Sequence, residues 1–482
     1  MRIVLVNVNK PTEIRIPQGL LYLASVINDS GHEAIVHDEA LLVDPQKSLE
    51  QIISYNADVV GFSVYSLPWQ LKRVEELSSS VKSSNPKTLI IWGGWHATLY
   101  PKHSILNEYV DIVVRGPAEK VIVDVLRAME YGRSLSTITA LVLKDNDHII
   151  ETGPICMEEQ HLYPSLNFEI LNFSTYLNKH DRGKGILQYI TTRGCNARCR
   201  FCIMANIYKS NLIRKPKDQI LAELKYLLHN YNINTIHFSD DNTFRNEQEA
   251  LQLCDIINKV APRHAIPWRC ATRINTLCNL SLNTYKTLSG SGCEGVVVGV
   301  ESGVDRVLKL MGKGITVSQI NQALQRLTSN GLDKNLFSFL FNFTGETKKE
   351  AIETLKLVCR TRMKFPKSII MMHIYFPGAS DSNYVPLDKV RHSPMSVLFE
   401  KYYDKYIRNY CVANTPMNIL RYYINASQDM EKVEYLGFRL LLKIIYKGLI
   451  KLRIKYCIFC LPYEYYLSNI IINKIKILLG KK

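Results

Sequence analysis

The chain has 482 residues, of which 46% are hydrophobic and 22% charged, a composition typical of globular rather than disordered proteins. Its formal net charge is +16, a balance that suits anionic lipid, nucleic acid or acidic small molecules. No stretch reaches the roughly 18 uncharged apolar residues of a membrane span, and the N-terminus lacks a signal-peptide layout. We therefore expect a cytoplasmic protein whose 12 cysteines are ligands and buried thiols rather than disulfides.

Short apolar strands alternate with amphipathic helices over residues 1–140. The predicted strands cover residues 3–8, 33–37, 59–65, 88–92 and 112–115. Helices are predicted between them, for example over residues 19–30 and 69–84. This alternation predicts a doubly wound parallel sheet, which binds ligands beyond the carboxyl ends of its strands.

A less regular segment, residues 141–185, contains an edge hairpin over 141–151 and is interpreted as a linker. The alternation then returns over residues 186–390. The six predicted strands cover residues 187–191, 235–239, 268–273, 295–300, 336–342 and 369–375. Six such units predict a partial (β/α)6 barrel with its chemistry at the carboxyl ends of the strands. Residues 391–482 are predicted to form a helical, basic C-terminal region.

Three cysteines follow the first barrel strand in C-x3-C-x2-C spacing: Cys195, Cys199 and Cys202. A [4Fe–4S] cluster normally takes four cysteine thiolates, so three thiolates leave one iron open for another ligand. The alternatives are a zinc site, which usually shows paired C-x2-C units and four ligands, and simple buried thiols. The spacing, directly after Thr192-Arg193-Gly194 at a strand end, favours the cluster.

This motif resembles that of the radical S-adenosylmethionine (SAM) superfamily, including the aromatic Phe201 before the last cysteine. The resemblance implies that SAM chelates the open iron and is cleaved to a 5′-deoxyadenosyl radical. It also implies SAM contacts at the ends of the barrel strands. The candidates for these contacts are Phe201, Asp240, Arg273, Glu301 and Ser302. One departure is Thr344, which stands before Gly345-Glu346-Thr347 where the family usually has proline.

The first 140 residues resemble the cobalamin-binding domains that precede many radical SAM barrels. The cobalamin contacts implied by this resemblance are Ser63, Gly93, Gly94, His96, Thr98, Gly116 and Glu119. Consecutive glycines after a strand let a bulky ligand approach the backbone without a clash against Cβ. His96 is either such a contact or a structural hydrogen-bonding residue.

The Asp-x-His-x-x-Gly signature of cobalamin proteins is missing, since the chain reads Asn7-Val8-Asn9-Lys10-Pro11-Thr12 after the first strand. Many radical SAM relatives lack this signature as well. The alternative is a doubly wound domain that serves only as a scaffold.

The resemblance implies three cofactors: a [4Fe–4S] cluster, SAM and cobalamin. The leading hypothesis is methyl transfer from methylcobalamin to an unactivated carbon. A second hypothesis keeps both cofactors but predicts ring closure, rearrangement or oxidation, as in the anaerobic porphyrin-ring cyclases. A third is a non-catalytic sensor that uses the cluster or the corrinoid. The expected partners are a small-molecule or lipid substrate and an external low-potential electron donor, but no nucleic acid.

Basic residues recur every four positions in the tail, at Arg439, Lys443, Lys447, Lys451 and Lys455. This spacing keeps the cations on one side of a helix. A basic amphipathic helix suits peripheral contact with the inner face of a membrane. The alternative is a cap on the barrel with a solvated basic face.

Overall fold

The computed structural model describes residues 1–42, 44–65, 68–145, 148–155, 157, 164, 166–180, 183–261 and 266–375. The basic C-terminal region predicted over residues 391–482 lies outside these residues. The described chain divides into two compact units. Among the described residues, the first comprises Met1–Thr243 and Leu251–Ala271, and the second comprises Phe244–Ala250 and residues 272–375.

A seven-stranded sheet forms the N-terminal part of the first unit, with strand order β2-β1-β3-β4-β5-β6-β7. The strands are β1 (Arg2–Asn7), β2 (Glu33–Asp38), β3 (Val59–Ser63), β4 (Leu89–Gly93), β5 (Ile112–Val114), β6 (Leu141–Asp145) and β7 (His148–Glu151). The first five strands pair in parallel. The hairpin β6–β7 extends the sheet with antiparallel pairing. The hairpin predicted at the start of the linker is therefore part of this sheet.

Helices cover both faces of the sheet. They are α1 (Gln18–Asp29), α2 (Pro45–Ser54), α3 (Pro68–Ser84), α4 (Gly94–Leu99), α5 (Pro101–Ile105) and α6 (Glu119–Glu130). Successive residues of a strand point to opposite faces, so Val4 and Val6 pack with α2 and α3. Ile3 and Leu5 pack with α1 and α6 on the other face. The sheet is thus doubly wound, as expected.

The first unit continues through α7 (Phe173–Lys179) into three parallel strands, paired in the order β8-β11-β12. These strands are β8 (Ile186–Tyr189), β11 (Thr235–Phe238) and β12 (Trp268–Thr272). Two very short strands, β9 (Thr192–Gly194) and β10 (Leu212–Arg214), pair antiparallel between β8 and β11 in the chain. The sequence did not predict this small ladder. The helices here are α8 (Ile203–Ile207), α9 (Lys217–Asn230) and α10 (Glu247–Val260).

The second unit contains three further parallel strands in the order β13-β14-β15. They are β13 (Cys293–Glu301), β14 (Leu336–Phe341) and β15 (Ile369–Ile374). The helices are α11 (Ile274–Asn279), α12 (Leu282–Gly290), α13 (Asp305–Leu310), α14 (Val317–Ser329) and α15 (Lys348–Lys364). All six predicted barrel strands are present, which confirms a partial (β/α)6 barrel after a doubly wound sheet. In the described part of the chain, no helix combines the length and the hydropathy needed to cross a membrane.

Candidate functional site

The three motif cysteines lie on the segment that joins β9 to α8. Cys202 directly precedes α8, and its backbone N–H donates to the carbonyl of Cys199 over 3.1 Å. Cys199 is buried, whereas Cys195 and Cys202 are partly exposed. Burial raises the pKa of the Cys202 thiol, and the backbone N–H groups of Met204 and Ala205 oppose that rise.

Among the described residues, no three Cys, His, Asp or Glu side chains converge closely enough to hold one metal ion. A zinc ion requires its ligands within a single coordination sphere, whereas a cubane cluster binds each thiolate through a different iron. The choice between these two kinds of site therefore rests on the C-x3-C-x2-C spacing of the three cysteines.

Asp240, which follows β11, anchors the chain that leads into the cysteine loop. Its Oδ1 accepts the backbone N–H groups of Thr191 and Thr192 at 2.6 and 2.8 Å. Its Oδ2 accepts the hydroxyl of Thr191 at 2.7 Å. Both carboxylate oxygens are thus engaged by the chain itself, and the role of Asp240 as a SAM contact stays a prediction. The neighbouring Asp241 accepts the backbone N–H of Gly194, and burial followed by repulsion from Asp240 raises its pKa to about 6.

Phe201 lies within the loop, between the second and third cysteines, and is partly buried. Two other predicted SAM contacts come together in the second unit through Lys313. Nζ of Lys313 lies 2.9 Å from Oε1 of Glu301, and Nη2 of Arg273 donates to the carbonyl of Lys313 over 2.6 Å. Lys313 was not a candidate from the sequence.

Ser302 is fully buried in the second unit. Its hydroxyl lies 3.1 Å from that of Thr354 and accepts the backbone N–H of Val304 over 3.2 Å. These contacts fix the turn after β13. The structure thus accounts for Ser302 as a turn residue, and a contact with SAM stays a prediction.

A cavity of about 350 Å³ opens beyond the carboxyl ends of the strands of the first sheet. Six of the seven predicted cobalamin residues line this cavity: Ser63, Gly93, Gly94, Thr98, Gly116 and Glu119. Residues before and after the cluster motif complete the wall together with Asp241, which follows β11: Thr192, Arg193, Met204, Ile207, Tyr208 and Asp241. One space is therefore bordered by the predicted cobalamin residues and by residues that adjoin the cluster motif, and all of its lining belongs to the first unit.

The glycines at the cavity edge have different structural reasons. Gly94 has φ +85°, and a Cβ there would lie 2.9 Å from the backbone N and O of Val64. It is thus the approach of β3, rather than of a ligand, that requires glycine at this position. Gly93 has ordinary extended backbone, and the nearest atom to a Cβ there would be the carbonyl oxygen of Val114 at 3.9 Å. Gly93 therefore leaves room for a ligand, in keeping with the reason expected from the sequence.

Thr98 and Gly116 are held together at the cavity wall. Oγ1 of Thr98 donates to the carbonyl of Gly94 and accepts the backbone N–H of Gly116, both at 2.8 Å. Gly116 has φ +74°, and a Cβ there would overlap the side chain of Ile155. These contacts define the shape of the wall against which cobalamin is predicted to bind.

His96 is the one predicted cobalamin residue that does not line the cavity. It is fully buried, and its ring centroid lies 5.2 Å from that of Tyr100. Burial, followed by the nearby His103, lowers the pKa of His96 to about 3. The structure therefore places the His96 side chain in the core, outside the cavity, and its role as a cobalamin contact stays a prediction.

Glu119, at the start of α6, forms an ion pair with Arg193. The Arg193 guanidinium also lies 4.5 Å above the ring of Tyr22 on α1. Burial by itself would lower the pKa of Arg193, but the Glu119 carboxylate together with Tyr208 and Tyr22 outweighs burial, and the net shift is upward. Neither Arg193 nor Tyr22 was a candidate from the sequence, although Arg193 lies directly in the segment before the cluster motif.

Two family models match the chain. The model described as "B12 binding domain" matches residues 4–126, and the model described as "Radical SAM superfamily" matches residues 189–358. The first match covers the parallel part of the first sheet, from β1 to β5, and ends before the β6–β7 hairpin. The second begins at the end of β8 and includes the three cysteines.

Two curated relatives align with most of the chain. An uncharacterized methyltransferase, PH0819, from Pyrococcus horikoshii is 27% identical over 343 residues, covering 70% of this chain and 72% of the relative. An anaerobic magnesium-protoporphyrin IX monomethyl ester cyclase from Rubrivivax gelatinosus is 22% identical over 370 residues. That alignment covers 71% of this chain but only 61% of the cyclase.

Among solved structures, the radical SAM methyltransferase TsrM from Kitasatospora setae superposes with a TM-score of 0.63 at 16% identity, covering 75% of this chain and 71% of TsrM. Another structure of TsrM contains cobalamin and a [4Fe–4S] cluster. At this identity the likeness establishes the fold alone. It agrees with the succession of a doubly wound sheet and a partial barrel.

Proposed function

Because the chain belongs to the radical SAM enzymes that carry a cobalamin-binding domain, we propose that it transfers a methyl group to an unactivated carbon of its substrate. In this family the cluster, SAM and cobalamin together supply an adenosyl radical and a methyl carrier. The observation that carries the proposal is the shared cavity. It is bordered both by the predicted cobalamin residues and by the residues that flank the cluster cysteines.

The residues of the chain prepare this space for radical chemistry. Hydrogen bonds to Asp240 and the β9–β10 ladder fix the backbone that directly precedes Cys195. Side chains such as Leu20, Ile122, Ile190 and Met204 give the cavity a largely apolar lining. An apolar wall disfavours water, and exclusion of water protects reactive intermediates from side reactions.

Methyl transfer is favoured over other outcomes by the names of two similar proteins, PH0819 and TsrM, which are both methyltransferases. Ring closure or a related oxidation is the second candidate. It is supported by the similarity to the anaerobic cyclase, which extends over 71% of this chain. Both candidates use the same cofactors, so cofactor content does not separate them.

The fate of the SAM methyl group tests the proposal. Reconstituted enzyme, a reductant and methyl-deuterated SAM are added to an extract of cells that lack this gene, and products are searched by mass. Methyl transfer predicts a deuterated product together with S-adenosylhomocysteine and 5′-deoxyadenosine. The Cys195→Ala variant, carried through the same protocol, is the matched control. Formation of 5′-deoxyadenosine that depends on extract, with neither label transfer nor S-adenosylhomocysteine, rejects methylation in favour of the cyclase-like candidate.

The substrate class that we propose is a small molecule or lipid at a membrane surface, with electrons supplied by an external low-potential donor. The support is the basic spacing of the tail from Arg439 to Lys455, which lies outside the described residues. Deletion of the chain after Leu436 is expected to weaken binding to vesicles that contain anionic lipid. Salt is expected to weaken vesicle binding of the full chain, because exposed charges are screened over about 10 Å at 0.1 M salt. Equal binding of the full chain to neutral and anionic vesicles would contradict the electrostatic anchor.

A further inference from the structure

A buried arginine, Arg193, lies on the strand that leads into the cysteine loop, and its side chain lines the cavity. Arg193 is the central residue of β9, two positions before Cys195, and pairs with Ile213 of β10. Its side chain is 11% exposed, lines the cavity and lies over the ring of Tyr22. Any change in the position of Arg193 must therefore act on a short ladder that ends at the first cluster cysteine.

The partner of Arg193 belongs to the cobalamin-binding domain. Glu119 is the first residue of α6, and its side chain is 4% exposed. One carboxylate oxygen, Oε1, accepts Nη1 of Arg193. The other, Oε2, is buried and has no hydrogen-bond partner among the described residues. A buried carboxylate oxygen without a donor is costly, because the folded chain replaces none of the water that it has lost.

Glu119 lines the cavity, so a molecule bound there is a natural source of the missing donor. Glu119 already has a cationic partner, and a second cation would exceed the charge of one carboxylate. An uncharged N–H or O–H donor satisfies Oε2 without this excess, and hydrogen bonds to ionised acceptors are among the stronger ones. Cobalamin presents such donors in its peripheral amide groups.

We infer that Glu119 and Arg193 couple the cobalamin site to the cluster loop, so that a molecule bound in the cavity stabilises the SAM-binding form of the loop. A donor on Oε2 fixes the Glu119 carboxylate, Oε1 then holds the Arg193 guanidinium, and Arg193 holds β9. Glu119 and Arg193 are positioning residues in this scheme. The inference rests on cobalamin binding, which the proposed function requires, but not on methyl transfer.

Coupling of this kind is reciprocal: if cobalamin tightens SAM binding by some factor, SAM tightens cobalamin binding by the same factor. Coupling between two sites typically amounts to about 5- to 150-fold in affinity. For the full-length protein with its cluster reconstituted, we expect hydroxocobalamin to lower the Kd for SAM by roughly tenfold.

The experiment measures four dissociation constants: SAM with and without hydroxocobalamin, and hydroxocobalamin with and without SAM. Glu119→Gln and Arg193→Gln should each bring the ratio of the SAM Kd without hydroxocobalamin to the SAM Kd with it close to one. The double variant should lower this ratio no further than either single variant, because the two residues act as a unit. Arg193→Lys keeps the charge and should retain part of the coupling. Electron paramagnetic resonance of the reduced cluster, recorded with SAM, should respond to hydroxocobalamin in the wild type but not in Glu119→Gln.

The matched control is Glu39→Gln, which removes another buried carboxylate paired with an arginine, Arg73 at 2.7 Å, away from the cavity. This variant should keep the wild-type ratio. A purely structural role for Arg193 predicts weaker binding of both ligands with an unchanged ratio, and that result overturns the inference. So does a ratio of one in a wild type that binds both ligands. If Glu119→Gln does not fold, the Arg193→Lys variant decides. If the structure of that variant lacks the contact with Glu119 and its coupling is still that of the wild type, the scheme is contradicted. A wild type that binds no cobalamin overturns the proposed function as well.

Discussion

The ammonium group of Lys313 lies 2.9 Å from Oε1 of Glu301, and both side chains are 8% exposed. Glu301 ends β13 in a left-handed conformation with φ 65°. Such a conformation is unfavourable for a non-glycine residue and is often retained at functional sites. The pair has room because residue 299 is glycine: a Cβ there would overlap both Oε1 of Glu301 and Nζ of Lys313.

Gly299→Ala is therefore expected to displace this ion pair without preventing folding, since the overlapping atoms are the ends of flexible side chains. Overpacking of this kind costs about 1–3 kcal/mol in the free energy of unfolding, measured by urea titration. If Glu301 contacts SAM as predicted, SAM binding should weaken as well. Gly290→Ala is the control, because a Cβ there meets no atom within 4 Å and should leave stability nearly unchanged.

The two glycines at the start of α4 allow a sharper test of the cobalamin site than either does alone. Gly93→Leu should keep the fold, because its backbone is extended and a Cβ there makes no close contact. The longer side chain then occupies the cavity and should weaken hydroxocobalamin binding more than tenfold, measured by absorbance titration. This expectation follows from the location of Gly93 in the cavity wall.

Gly94→Ala should act through stability instead. A Cβ at this position meets the backbone of Val64, and φ +85° strains any other residue. We expect a loss of more than about 1 kcal/mol in the free energy of unfolding. Wild-type binding by Gly93→Leu would locate the corrinoid outside the cavity, and wild-type stability of Gly94→Ala would contradict the described turn.

The cluster assignment predicts that anaerobically reconstituted protein holds about four irons and cleaves SAM to 5′-deoxyadenosine. Replacement of Cys195, Cys199 and Cys202 by alanine should remove both properties. Cys254→Ala removes a buried thiol from α10 and should retain the cluster, since this residue packs in the core. A full iron complement in the triple variant, or zinc in anaerobically purified protein, would contradict the assignment.

Much of the fold was predictable because hydrophobic period and strand–helix alternation are local signals. The predicted strand at residues 3–8 is β1, Arg2–Asn7, and the one at 336–342 is β14, Leu336–Phe341. The strands β9 and β10 are three residues each, too short to show a period. The same limit applies to the site: the pairing of Glu119 with Arg193 spans 74 residues, and no local pattern encodes it. The burial of His96 likewise depends on packing that brings Tyr100 and His103 around it.

Glu346, in the turn between β14 and α15, gives a pH-dependent prediction. Its Oε2 accepts the backbone N–H of Asn342, whereas Oε1 is buried and has no partner among the described residues. Burial raises the pKa of Glu346 from about 4.5 to about 7. The folded protein therefore holds this proton more tightly than the unfolded chain does. The resulting stability is fully present below about pH 4.5 and is lost as the pH rises through about 7.

Glu346→Gln mimics the protonated form, so its stability relative to the wild type should increase from pH 5 to pH 8. One pKa unit corresponds to about 1.4 kcal/mol, which sets an upper limit of roughly 3 kcal/mol on this increase. Urea titrations of both proteins at the two pH values measure it. A relative stability that does not change between pH 5 and pH 8 would mean that the buried carboxylate ionises in its ordinary range.

Glu350, four residues further on, is the control of opposite sign. Its carboxylate accepts Nε and Nη2 of Arg306, each at 2.6 Å, and these bonds lower the pKa of Glu350 to about 2. Its contribution to stability is present above about pH 4.5 and is lost as the pH falls toward 2. Glu350→Gln should therefore be less stable than the wild type by nearly the same amount at pH 5 and at pH 8, because the wild-type carboxylate is largely ionised in both states throughout that range. A smaller pH dependence remains, since the Glu350 charge helps to raise the pKa of Glu346. A pH-dependent difference for Glu346→Gln beside a nearly constant one for Glu350→Gln would trace the effect to the buried carboxylate rather than to the turn.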